Sequence, residues 1–245
     1  MVNRSQVSPI LKMLVITIIV AMCIILINEW FISLPNYENL ITGSGWMLAD
    51  LVHIPQFLIS FSLICYISKG NLGEYGFNLH EDSHFTHKRM FVVGVLFGFL
   101  FSLKYIPQVI GDIPLDIPRP VTPANILGNM TFQWIVVGIS EETMFRGLIQ
   151  TYLMKELEGE INIAGHEFQI GTVIAAIFWG GFHFINTLVA MPIHTVLFLV
   201  LLTTAVGLVM GYAYQMTGSI LTTIIVHNTI FGVPLVIGYL LYWFV

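Results

Sequence analysis

The sequence predicts an all-α, polytopic membrane bundle of seven or eight transmembrane helices. Two compositional observations and one of pattern carry that prediction. Of the 245 residues, 56% are hydrophobic and only 9% are charged, against roughly 45–50% and about 25% for an average soluble domain. The mean hydropathy is +0.85, so a water-exposed surface could not be covered. The apolar residues also fall into runs of the length that a bilayer core of about 30 Å requires, roughly 20 residues per helix. An ordinary cytosolic enzyme, a disordered regulator and a secreted disulfide scaffold are excluded.

Met13–Ile32 is the first run, retained as a helix because no small-residue cleavage site follows it. Trp46–Ile67 is the second, although Asp50, His53 and Pro55 interrupt it, and Met90–Ile106 is the third. A fourth covers about 126–153 and contains Glu141, Glu142 and Arg146; about 170–190 and Ile193–Tyr214 are the fifth and sixth. Ser219–Val245, divided by Gly232 and Pro234, reads as one kinked helix or two short ones. The segment Pro107–Pro123 holds five prolines and reads as an extended outer loop. No repeat or linker divides the chain, so residues 1–245 read as one membrane domain.

Net charge is −5, with no basic stripe, so nucleic acid is not an expected partner. Cys23 and Cys65 lie in apolar runs and read as small hydrophobes. An N-terminus in the cytoplasm places six of the nine basic residues inside: Arg4, Lys12, Lys69, Lys88, Arg89 and Lys155.

Ionisable groups within the hydrocarbon are candidates for function. Glu142 and Arg146 are four apart and share a helix face, so they can pair, whereas Glu141 points about 100° away. A buried Glu–Arg pair alone leaves the second carboxylate uncompensated, which costs several kcal/mol. Histidines are the natural answer. His80, His84, His87 and His166 lie in polar loops, and His53 and His194 near span ends read as satisfied interfacial groups. His183 and His227 sit deep in apolar runs on two further helices, and with Glu141 they suggest a site.

The order Glu141-Glu142-Thr143-Met144-Phe145-Arg146, then Trp179-Gly-Gly-Phe-His183, then His227 in a later apolar helix resembles the CPBP family of CAAX-protease and bacteriocin-processing intramembrane endopeptidases. The resemblance covers about 126–231. It departs from the family pattern twice: Trp179 stands where Phe is usual, keeping an aromatic wall, and Phe231 stands where Asn or Asp usually follows the second histidine by four. The resemblance implies a membrane endopeptidase acting on a membrane-associated protein or peptide, prenylated CAAX-type or leader-bearing. It makes Glu141 the general base, His183 its assistant and His227 an oxyanion-binding group, with Glu142 and Arg146 in support. Asn186 or Asn228 would replace the donor missing at Phe231. No cofactor is favoured, and a zinc ion held by Glu141, His183 and His227 is the alternative.

The residue chemistry is consistent with that activity. Peptide hydrolysis needs an activated water and donors aimed at the developing oxyanion, and a glutamate in an apolar pocket can take and return a proton near neutral pH. Neither a Gly-x-Ser-x-Gly elbow nor a His-Glu-x-x-His helix is present. The rival readings are a catalytically silent relative with an immunity or scaffold role and, less favoured, a transporter, for which the paired half-repeats are missing.

Overall fold

Helix formation follows the apolar runs, and the computed structural model describes residues 4–35, 37, 45–111, 113–184 and 191–244. Among them are seven helices: α1 (Arg4–Ile32), α2 (Gly45–Ser68), α3 (His87–Ile110, with a 3-10 turn at Leu103–Tyr105), α4 (123–156), α5 (Ile170–Phe182), α6 (Ile193–Thr217) and α7 (Ile220–Phe244). Five are long and apolar enough to cross a membrane: Val7–Ile32 of α1, and α2, α3, α6 and α7. Their outward side chains, such as Leu14, Ile18, Met22, Leu58, Phe97, Leu100, Leu201 and Val209, are exposed. That surface suits lipid, which has no hydrophobic cost for such groups.

Several boundaries differ from those read in the sequence. Thr86 caps α3, which begins at His87, three residues before Met90, and the Thr86 Oγ1 accepts the Arg89 N–H. Ser219–Val245 contains a single helix, because Pro234 packs inside α7 without ending it. The Pro107–Pro123 segment is not wholly extended: Pro107 sits at the start of the helical turn Ile106–Ile110, where its missing N–H goes unused. Pro123 likewise starts α4 behind the Thr122 cap. The fifth run is helical only to Phe182, and residues 185–190 lie outside the described residues.

An all-α expectation also missed one element. β1 (Glu160–Ile163) and β2 (His166–Gln169) form an antiparallel hairpin. Its two-residue turn, Ala164-Gly165, has both φ values positive, the turn whose twist suits a tight hairpin.

α4 is the centre of the bundle. Residues 142–151 are all buried, and Met144, Phe145, Ile149 and Leu153 share a core with Trp179 of α5, Met210 and Ala213 of α6, and Val226 and Ile230 of α7. The helix is not uniform: Phe132–Val136 and Thr143–Gln150 are π-helical, bracketing the α-helical Val137–Glu142. The second π segment closes where the Thr151 hydroxyl donates to the Arg146 carbonyl. α3 packs along α7 through Gly94 and Gly98. A Cβ at Gly98 would lie 2.6 Å from the Val233 Cβ, and one at Gly94 2.7 Å from the Thr229 Cβ. Small residues thus bring these two backbones together.

The helix ends sort the charges. Glu74 and Lys155 pair at 2.9 Å on the hairpin side of the bundle, where Lys12 adjoins Ile67 and Tyr152. Lys104 and Asp116 pair at 3.1 Å on the opposite side.

Candidate active site

Glu141 and Glu142 are neighbours in sequence but face different partners, as helix geometry requires. Glu142 is fully buried. One of its oxygens accepts from the His227 Nδ1 at 2.8 Å, and the other lies 3.2 Å from the Arg146 Nε, a charge contact rather than an aligned hydrogen bond. Arg146 is also buried; it donates to the Gly207 carbonyl at 3.2 Å and lies 4.6 Å from the Trp179 ring centre. Glu142 is therefore the anion that compensates a buried arginine and orients a buried histidine.

Glu141 belongs to a different set. Its Oε2 accepts the Trp179 indole N–H at 2.6 Å, and its Oε1 lies 3.3 Å from the His53 Nε2. Arg146 makes no hydrogen bond to it. Trp179 is thus more than an aromatic wall, since a phenylalanine there could not donate. Its ring also touches His183 and His227, with centroids 5.9 and 5.7 Å away. Both histidines are within electrostatic reach of Glu141. The indole of α5 meets Glu141 of α4, Gly207 of α6 and His227 of α7, and α2 joins the set through the contact of His53 with Glu141.

The tautomers follow from the hydrogen bonds. His183 Nδ1 lies 2.9 Å from the Trp179 carbonyl, an acceptor only, so Nδ1 carries the hydrogen. Its Nε2 makes no hydrogen bond among the described residues. His227 likewise donates from Nδ1 to Glu142 and makes no bond at Nε2 among the described residues. His183 does not contact Glu141 directly, as a simple Glu–His dyad would require.

Two expectations are corrected. Asn228 is not presented as a free oxyanion donor: its amide donates to the Trp134 carbonyl at 2.9 Å, where the first π segment runs, and its Oδ1 faces Gly138. Asn186 lies outside the described residues. His53 is not an interfacial group satisfied by itself but the second partner of Glu141. It lies eight positions inside α2, so the rule that singled out Glu141, an ionisable group within a span, also pointed to it. As for zinc, no three His, Cys, Asp or Glu side chains among the described residues are grouped as metal ligands. Glu142 engages His227 through Nδ1, and Trp179 with His53 engages Glu141, while Nε2 of His183 and of His227 makes no hydrogen bond among the described residues.

Phe231 is partly exposed, its ring 5.4 Å from that of His227 and 6.2 Å from that of Phe101. It forms the inner wall of a cavity of about 380 Å³ also lined by Lys104, Tyr105, Gln133 and Leu235.

Comparison with known proteins adds the last observation. No curated protein and no solved structure matches the chain. Residues 123–231, which run from the start of α4 through His227 to Phe231, match the family model for type II CAAX prenyl endopeptidases, Rce1-like. That match takes in the Glu-Glu-x-x-x-Arg segment, His183 and the buried His227; with several membrane-length helices in the chain, this is a multi-pass membrane protein whose residues 123–231 are similar to the Rce1-like family of proteases.

Proposed function

We propose that this protein is an intramembrane endopeptidase that cleaves a peptide bond in a prenylated, membrane-associated CAAX-type protein, with Glu141 as general base. The observation that carries this reading is the division between the two carboxylates. Glu142 is consumed by Arg146 and His227, whereas Glu141 is held by one contact on each oxygen, which leaves about two of its four lone-pair sites for a water.

In the proposed reaction Glu141 takes a proton from that water, and the hydroxide oxygen adds to the scissile carbonyl carbon. His183 Nε2 is the second partner of the water. The carbonyl oxygen becomes an oxyanion beside His227; for Nε2 of that ring to donate, both nitrogens carry hydrogen, a form that Glu142 compensates. The C–N bond then breaks as the proton passes from Glu141 to the leaving amine. Every step uses side chains of this chain. Residues 1–245 form one membrane domain in this reading, with the N-terminus on the cytoplasmic side, supported by the gathering of Lys12, Lys69, Lys88, Arg89 and Lys155 on the hairpin side.

The test is turnover of a fluorescence-quenched farnesylated CAAX peptide by the purified chain, beside its unprenylated counterpart and a leader-type peptide. Cleavage of the farnesylated peptide, lost in Glu141→Gln at normal protein yield and retained in the presence of a zinc chelator, is expected. A Glu141→Gln variant as fast as wild type removes the assigned base. Complete loss in chelator with recovery on added zinc makes the enzyme a metalloprotease instead.

A further inference from the structure

We propose that His53, carried by α2, is a positioning residue of this site: it binds Glu141 and fixes the direction in which that carboxylate meets the water. The inference rests on the peptidase reading above and extends the site to a helix outside the matched segment 123–231.

The geometry of His53 is set from three directions. Its Nδ1 lies 2.8 Å from the Ala49 carbonyl, so the hydrogen on that nitrogen is fixed. Its ring meets the edge of Phe132 at 5.1 Å and 73°. Its own carbonyl accepts the Ser140 hydroxyl at 2.7 Å, which ties α2 to α4 one residue before Glu141. The only freedom left is at Nε2, and Nε2 is the atom that faces the Glu141 Oε1. A contact at 3.3 Å between an imidazole nitrogen and a carboxyl oxygen holds one shared hydrogen, on the ring or on the acid. Both side chains are 15% exposed, so bulk water screens the contact little.

A histidine present only for packing would be satisfied by Ala49 and Phe132. The second bond has a chemical consequence. Trp179 alone would leave the Glu141 carboxylate free to rotate about its terminal torsion, which is broad and soft. With Trp179 on one oxygen and His53 on the other, the carboxylate plane is fixed, and its remaining lone pairs point in one direction. Preorganisation of this kind lowers the barrier without changing how tightly substrate binds.

Two measurements test the proposal. The first needs no substrate: ¹⁵N spectra of the eight imidazoles, with His53 assigned by its disappearance in His53→Gln. Glu141→Gln is expected to move the His53 Nε2 resonance and leave its Nδ1 bonded. A resonance that does not move overturns the contact. The second is kinetics on the farnesylated peptide. His53→Phe keeps the ring against Phe132 and removes both N–H groups. It is expected to lower kcat by about 10- to 100-fold, the range for a lost hydrogen bond to a charged group, with KM within about twofold. His53→Gln, which restores an N–H donor, is expected to regain most of the loss. Equal losses in the two variants, an unchanged kcat in His53→Phe, or a KM rise in place of the kcat loss overturns the positioning role. A wild-type chain that cleaves none of the peptides overturns the peptidase reading and this role with it, and the spectra still decide the His53–Glu141 contact.

Discussion

Adjacent glutamates with opposite assignments make the sharpest demand at the scale of single residues. Glu142→Gln removes the anion that balances Arg146 and orients His227. Breaking such a buried network costs about 3–5 kcal/mol, so the melting temperature in detergent and the purified yield are both expected to fall. Glu141→Gln keeps its neighbours' backbone bonds and is expected to melt near wild type while losing turnover. Trp179→Phe separates the ring from its donor: the packing against Arg146 and His227 remains, the 2.6 Å bond to Glu141 goes, and kcat is expected to drop roughly tenfold or more. Phe231→Asn replaces a ring beside His227 with a donor, and turnover is expected to stay level or rise. Asn228→Ala, by contrast, removes the bond to the Trp134 carbonyl, and a lower melting temperature with little change in kcat is the expected result.

Among the elements, the α3–α7 contact is the most sensitive to side-chain volume. A leucine at Gly98 has its Cβ 2.6 Å from Val233 and 3.1 Å from the Thr229 carbonyl, so the helices must separate or the backbone must bend. Overpacking of this order costs about 1–3 kcal/mol or more, readable as a lower melting temperature for Gly98→Leu with Gly181→Leu, which meets nothing within 4 Å, as the tolerant control. The sequence disclosed the helices well because apolar run length is a strong signal, and it disclosed Glu142–Arg146 because four-residue spacing is local. It did not disclose which partner Glu141 meets. That depends on how α2 and α5 are placed around α4, a property of packing between segments 88 and 38 residues away in the chain. The π segments were equally hidden, since the residues of 132–136 and 143–150 look like ordinary helix formers. The hairpin was legible in principle, in the alternation Glu-Ile-Asn-Ile before Ala-Gly, but it is short beside the membrane runs.

For the whole molecule, the testable property is which ends of the bundle share a side of the membrane. Single cysteines at Lys12 and Lys155, in a chain whose Cys23 and Cys65 are replaced, are expected to react with an impermeant maleimide from the same side, and a cysteine at Lys104 from the other. Labelling of Lys104 and Lys155 positions from one side would overturn the alternation of α3 and α4. The two ends of α4 are fastened independently, near Asn125 by Trp46 and near Lys155 by Glu74, and the widened turns lie between these moorings. A π turn is an α-helix that has accepted one surplus residue. The centre of α4 can therefore be turned by single-codon deletions or insertions while both ends keep their register, as a dial turns between fixed bearings. In that sense a lineage, or a designer, can choose which acidic group meets the Trp179 indole without rebuilding the fold.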